Sequence, residues 1–403
     1  MGKTKLRRAP RLVIGVITLL FAGVIYAWSI LNAPFVGVLD AAQLGLNYTI
    51  AVIFFCLGGF FSGLLSKKVS SSLRLIISGS LLFAGFFITA HLDGSRPVLL
   101  YLSYGVLAGT GVGFVYNTVL GTVNAWFPDK QGLSSGILLS AMGFSSLIVG
   151  QAADLMGRNA LIGWRMTYII FAISIGAVLF AASLLIKLPP KDTVFPQPKG
   201  NKKANAIGGE ENYPVSKMLR HSAFIKLAIF IMIAATSGSA AISFARDIAM
   251  EVGASAGFAV TVVGLLSMSN GVGRFALGWF FDNIGMRKTQ WVMGILVILA
   301  PTAVMVGLFT NSLAIGLVGI CLCGFTYGGG STVGSVIISG FFGLKNFSLN
   351  FSIFNLFVLL PAPFSATLAG TIKDTTGSFI YAFMLLAVLA AAGMFVNLSI
   401  KKP

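Results

Sequence analysis

Acidic residues are scarce in this chain. Eleven Asp and Glu stand against 28 Lys and Arg in 403 residues, and only 10% of positions are charged. Two histidines, His91 and His221, and three cysteines, Cys56, Cys321 and Cys323, are the other side chains best suited to general-base, redox or metal chemistry. The cysteines sit inside apolar runs, without the spacing of a metal site or of an extracellular disulfide framework, and read as small packing residues. The histidines fall near opposite ends of apolar runs and cannot share a site. No enzyme activity, cofactor or metal is expected. A charge-rich surface is also missing, which excludes a soluble globular domain.

What is present is hydrocarbon. The chain is 56% hydrophobic, with a mean hydropathy of +0.91. A helix crossing a bilayer needs about 20 apolar residues, and runs of that length recur from end to end. Twelve spans are predicted, at 11–35, 44–66, 71–92, 98–124, 132–156, 164–187, 222–245, 255–282, 289–309, 312–340, 347–372 and 377–400. The expected class is an all-α integral membrane protein, with the lipid bilayer as its first partner.

The net charge of +17 is sorted by membrane side. With the N-terminus in the cytosol, 22 basic residues fall on inner segments, among them Lys3, Lys5, Arg7, Lys67, Lys68, Arg74, Lys191, Lys199, Lys202 and Lys203. Five fall on outer segments, namely Arg96, Arg158, Arg165, Arg246 and Lys373, and Arg274 falls within a span. Such positive-inside asymmetry predicts a multi-pass protein of the plasma or inner cell membrane with both termini cytosolic. It also accounts for the charge without a nucleic-acid partner. The basic N-terminus runs into 25 apolar residues with no small-residue cleavage site, so it reads as the first span and not as a signal peptide. The sequence assigns no oligomer, and a monomer is assumed.

The second span ends in Gly59-Phe60-Phe61-Ser62-Gly63-Leu64-Leu65-Ser66-Lys67-Lys68, and the eighth in Gly278-Trp279-Phe280-Phe281-Asp282-Asn283-Ile284-Gly285-Met286-Arg287-Lys288. Both run glycine, aromatics, a small or acidic residue, then paired bases. A loop repeated in two six-span halves is the mark of a duplicated carrier core. The expected organisation is an N-terminal six-helix bundle over 1–188, a cytosolic linker over 189–219 rich in Lys, Pro, Asn and Gly, and a C-terminal six-helix bundle over 220–403. The two bundles are expected to be pseudo-symmetric.

One charge lies where charge is costly. Arg274 sits well inside the eighth span, and an arginine near the centre of a lipid-facing helix costs roughly 3 kcal/mol by insertion scales. It is therefore expected to face a protein interior or a watery cavity. Asn270 lies four residues earlier, on the same helical face. No Asp or Glu falls at mid-span, since Asp154, Asp282 and Asp374 lie near span ends. A guanidinium without a protein carboxylate suits an anionic ligand, because its planar fork grips a carboxylate bidentately. Tyr116 and Asn117 in the fourth span, Tyr327 in the tenth, Asn355 in the eleventh and Leu31 near the end of the first are candidate cavity residues. The competing readings are a core tyrosine satisfied by a backbone carbonyl for Tyr116, interhelical packing for Tyr327 and Asn355, and a helix end at the membrane interface for the Leu31 stretch. The Ser237-Gly238-Ser239 cluster of the seventh span is either a flexion point or a close-packing point.

Taken together these motifs resemble the major facilitator superfamily, and within it the oxalate/formate antiporter and monocarboxylate transporter group. Gly278, Asp282, Gly285, Arg287 and Lys288 match the family's gating-loop motif. The first copy departs, with Gly63 where the acid is usual and Ser66 where a glycine is usual. Segment 124–136, with Trp126-Phe127-Pro128-Asp129-Lys130, is similar to a region of the oxalate transporter group, as is the spacing of Asn270 and Arg274. The resemblance implies transport of small carboxylates by alternating access, with Arg274 as anchor, Asn270 its neighbour, and Tyr116 and Tyr327 its aromatic partners. The oxalate transporter carries a second base in its eleventh span, where this chain has Val358. A second buried carboxylate would lack its counter-charge, so a lactate- or pyruvate-like substrate, carried with protons, is expected ahead of oxalate or formate exchange. No mid-span acid presents itself for proton coupling, which leaves protonation of the substrate, exchange or facilitated diffusion open.

Overall fold

The computed structural model describes residues 8–39, 41–93, 96–190, 193, 195 and 212–403. Most of the expected linker lies outside these residues, as do Lys3, Lys5, Arg7, Lys191, Lys199, Lys202 and Lys203 of the expected inner bases. Ten of the described helices are long and apolar enough to cross a membrane. One of them, Ala256–Phe309, holds two of the expected spans end to end, because its only break is at Gly285, with φ 81° and ψ 167°. A positive φ is open to glycine at little cost, so one residue does the work of the expected loop over 283–288. Phe347–Leu359 and Pro361–Thr376 together supply the remaining span. The result is a twelve-helix membrane fold.

Several spans are less regular than their hydropathy suggests. The first expected span is an α-helix only over Ala9–Ala22, tightens to a 3₁₀ stretch over Gly23–Ala27, and resumes at Trp28–Leu31. The fourth passes from Pro97–Leu100 through a π-helical stretch, Tyr101–Ala108, into Gly109–Asn124. The eleventh breaks after Leu359, where Pro361 lacks an N–H and crowds the residue before it. The seventh runs over Ser222–Glu251, with its one non-helical residue at Phe244 (φ −123°, ψ 18°). The chain therefore does not flex at Ser237-Gly238-Ser239. Gly238 is a close-packing point instead, since a Cβ there would lie 2.5 Å from the Tyr327 Cβ.

Two compact units emerge. The first comprises Met1–Pro128, Ala141–Pro196 and Phe347–Ser352; the second comprises Asp129–Ser140, Gln197–Asn346 and Ile353–Pro403. In the first, Ala41–Leu65 packs on the fourth span and Ser71–Ala90 on Gly163–Leu185. In the second, Ala256–Phe309 packs along Leu313–Phe342, which also meets Ser222–Glu251. Lipid tails are as apolar as leucine, so helices associate in a bilayer through close packing of small residues more than through hydrophobic burial. Gly273 shows this in the second unit: a Cβ there would lie 2.1 Å from the Phe325 carbonyl oxygen. At one end of the second unit Glu251 pairs with Lys373 and accepts from Ser378 Oγ at 2.5 Å and the Phe379 N–H at 3.2 Å. This fastens the end of Ser222–Glu251 to the turn before Ile380–Leu398.

Candidate anion site

Arg274 is buried, 7% exposed, in the second unit. Its Nε donates to Asn270 Oδ1 at 3.0 Å, and its Nη1 donates to the Leu139 carbonyl oxygen at 2.8 Å. The spacing of four along one helix brings the first pair together. The second acceptor comes from another helix altogether. Among the described residues no carboxylate pairs with Arg274; Asp154 pairs with Arg158, and Glu251 with Lys373. The guanidinium is thus positioned by an amide and a backbone carbonyl, neither of which neutralises it. Asn270 is itself held tightly, since a Cβ at Gly328 would lie 2.1 Å from the Asn270 carbonyl oxygen and 2.6 Å from Oδ1.

The helix Gln131–Arg158 starts beside this stretch, and its first turns lie along it rung by rung. Ser140 Oγ donates to the Gly271 carbonyl at 2.8 Å. A Cβ at Gly136 would lie 2.7 Å from the Arg274 carbonyl oxygen, and one at Gly278 would lie 2.2 Å from that of Gly132. At the far end Asp282 accepts from the Gly132 N–H at 3.0 Å and the Leu133 N–H at 2.6 Å. The first N–H groups of a helix have no partner within it, and its N-terminus carries partial positive charge. A carboxylate there satisfies both needs. Of the other gating-motif residues, Gly285 supplies the chain break, Arg287 Nη1 donates to the Leu398 carbonyl at 2.6 Å, and Lys288 is exposed.

The remaining candidates divide between the units. In the second, Tyr327 is half-buried against Gly238, and Asn355 is buried with no hydrogen-bond partner among the described residues. Val358, one turn beyond Asn355, is buried. In the first, the buried Tyr116 ring lies 5.2 Å from Phe55 and 6.0 Å from Phe351. Asn117 Nδ2 donates to the Ser348 carbonyl at 2.7 Å and to Ser352 Oγ, an interhelical packing role. Leu31 is buried, and its carbonyl accepts from the Tyr168 hydroxyl at 2.8 Å.

Two buried groups escape sequence reading. The Leu139 carbonyl has no signal, because any residue could supply it. Arg74, counted with the inner segments, is buried in the first unit at 3% exposure, with Nη1 donating to the Ser62 carbonyl at 3.2 Å and Nε without a partner. Its place inside the apolar run 71–92 was the available signal.

A twelve-helix membrane fold around a buried arginine that no described carboxylate pairs with is the architecture of a multi-span membrane carrier. The family model described as Major Facilitator Superfamily matches residues 12–332, and the chain belongs to that family of transporters. It is similar to the MFS-type transporter YhjX of Escherichia coli (strain K12), 30% identical over 354 residues that cover 85% of this chain and 83% of the relative. It is also similar to the oxalate:formate antiporter of Oxalobacter formigenes, 25% identical over 83% of this chain and 77% of that one. Monocarboxylate transporter 12 of Mus musculus is 21% identical over 79% of this chain and 69% of its own length. Among solved structures, the fucose:proton symporter FucP of E. coli superposes with a TM-score of 0.72 at 16% identity, covering 98% of this chain and 99% of that one, which is a likeness of fold.

Proposed function

We propose that this chain is a secondary active transporter of a small monocarboxylate, lactate- or pyruvate-like, carried with protons by alternating access, and that Arg274 grips the carboxylate. The observation that carries the reading is the buried Arg274 guanidinium, aimed through Nε by Asn270 and facing no carboxylate among the described residues. A buried cation without a protein counter-charge favours an anionic ligand, and the two-pronged fork favours a carboxylate. Within the second unit Tyr327 is the proposed aromatic partner and Asn355 a proposed cavity wall, while Asn117, bonded to Ser348 and Ser352, serves packing. Val358 argues for one carboxylate in place of two, since an apolar buried side chain gives a second one no counter-charge. Arg74 belongs to the first compact unit and bonds Ser62, so the count of buried cations does not carry this step; the residue at 358 does. Proton movement is assigned to the substrate carboxyl, because no mid-span acid is available to titrate. Gly278, Asp282, Gly285, Arg287 and Lys288 form the proposed gate, whose bonds to Gly132 and Leu133 break and reform in the cycle.

The alternative is an oxalate/formate-type organic anion antiporter, which the likeness to a relative of that name favours. Counterflow of labelled lactate in proteoliposomes, with and without an imposed pH gradient, tests the choice. Lactate accumulation driven by the gradient supports the first reading. Exchange of oxalate for formate without lactate counterflow selects the second, and counterflow of none of the three overturns both.

A further inference from the structure

We propose that the hollow beside the short helix Val215–Arg220 holds the phosphate of an anionic membrane lipid. The hollow measures about 500 Å³ and is lined by Tyr213, Ser216, Lys217, Arg220 and His221, ahead of the helix Ser222–Glu251. Lys217 and Arg220 are three residues apart, on one turn, and both are exposed, with no hydrogen bond or ion pair among the described residues. The His221 ring is oriented by its neighbours. Its Nδ1 accepts from the Ala223 N–H at 3.2 Å, which leaves the ring proton on Nε2. The rings of Tyr213 and Phe342 meet it edge-on at 5.9 and 6.0 Å. Among the described residues the lining therefore offers two cations, an imidazole donor and hydroxyls, and no carboxylate. That set matches the several acceptor oxygens and the negative charge of a phosphate group.

A sorting of bases by membrane side accounts for the presence of Lys217 and Arg220 but not for their convergence on one concavity. The neighbouring surface favours a lipid over a soluble phosphate ester. Ile225 and Ile229 are 46% and 43% exposed and lie one turn apart on one face of the membrane helix, and Leu219 beside the hollow is 39% exposed. An apolar track thus leads away from the basic hollow along a spanning helix, which is the arrangement an acyl chain and its headgroup require. Juxtamembrane bases attract anionic headgroups with an energy that falls off within a Debye length.

Native mass spectrometry of the full-length protein in detergent, titrated with phosphatidylglycerol or phosphatidylcholine, tests the site. The expected result is a preference of about tenfold or more for phosphatidylglycerol, as two nearby bases supply. The pair Lys217→Gln and Arg220→Gln should abolish it, whereas Lys401→Gln with Lys402→Gln, at the exposed C-terminus, should keep it. Retention in the first pair, or equal loss in the second, overturns the proposal in favour of diffuse charge. Glycerol 3-phosphate displacing the lipid at equal concentration overturns the lipid assignment. Photo-crosslinking of wild-type protein with an azido-phosphatidylglycerol gives a readout independent of variant folding: label on the 213–221 peptide supports the site, and label confined elsewhere rejects it.

Discussion

Arg274 donates from Nη1 to the backbone carbonyl of Leu139 at 2.8 Å, while its Nε stays with Asn270. The Leu139 carbonyl belongs to the same ten-residue stretch whose N–H groups are capped by Asp282 and whose Ser140 bonds Gly271. The bonds to Asn270 and Leu139 use two of the five guanidinium N–H donors. In the proposed cycle the remaining donors, on Nη1 and Nη2, hold the carboxylate bidentately while Asn270 and Leu139 keep the fork in place.

Replacing Arg274 by Lys tests the fork. A point charge keeps the sign but cannot hold Asn270, Leu139 and a bidentate carboxylate in fixed geometry. Hydrogen bonds to charged groups are worth about 1.5–3 kcal/mol, which corresponds to roughly 10- to 100-fold in uptake. Initial rates of lactate uptake in proteoliposomes should fall by that factor, with an unchanged elution profile. Wild-type kinetics in Arg274→Lys would remove the arginine from the site.

Asn270 separates positioning from charge. Asn270→Ala frees Nε and should raise KM with a smaller change in kcat, because the charge survives but its aim is lost. Asn270→Asp places a carboxylate at the same distance and should neutralise the fork outright, since a buried ion pair leaves no net charge for a ligand. The expected order of uptake is wild type, then Ala, then Asp. An Asp variant as active as the Ala variant would show that the guanidinium does not bind the anion.

What the sequence disclosed here was local. Hydropathy alone separates the spans, and a spacing of four puts Asn270 beside Arg274, because both follow from the helical repeat. Contacts far apart in the chain left no such trace. The Leu139 carbonyl is common to every residue type, and the partners of Asp282 are backbone N–H groups 149 and 150 positions away. The choice between flexion and close packing at Gly238 was not legible for a related reason: the missing Cβ admits Tyr327, a distant partner, and the break falls at Phe244. Arg74 was read by its nearness to a run's end, whereas burial depends on which neighbours cover it.

Asp282 makes a stability prediction. Its carboxylate satisfies two otherwise unpaired N–H groups at the start of Gln131–Arg158. Losing a cap of this kind costs about 1–2 kcal/mol. Asp282→Ala should lower the thermal unfolding midpoint in detergent, and Asp282→Asn, which keeps one acceptor oxygen, should lower it by less. Equal midpoints for all three proteins would mean that the cap does not stabilise the state described here.

Val358 decides between one carboxylate and two. The side chain is 6% exposed and sits one turn from Asn355, whose amide has no hydrogen-bond partner among the described residues. A lysine introduced there would be a buried ammonium without a counter-ion, a state that destabilises a protein until an anion enters. Val358→Lys should therefore unfold at lower temperature than wild type without ligand and regain stability with oxalate, because the second carboxylate now has its partner. Binding to the native state alone raises stability by about 2.7 kcal/mol at a ligand concentration one hundred times Kd, so a thermal-shift titration can read the effect. Wild-type protein should respond to lactate or pyruvate and not to oxalate. If wild type is stabilised by oxalate as strongly as by lactate, position 358 does not set the number of carboxylates, and the antiporter reading becomes the better one.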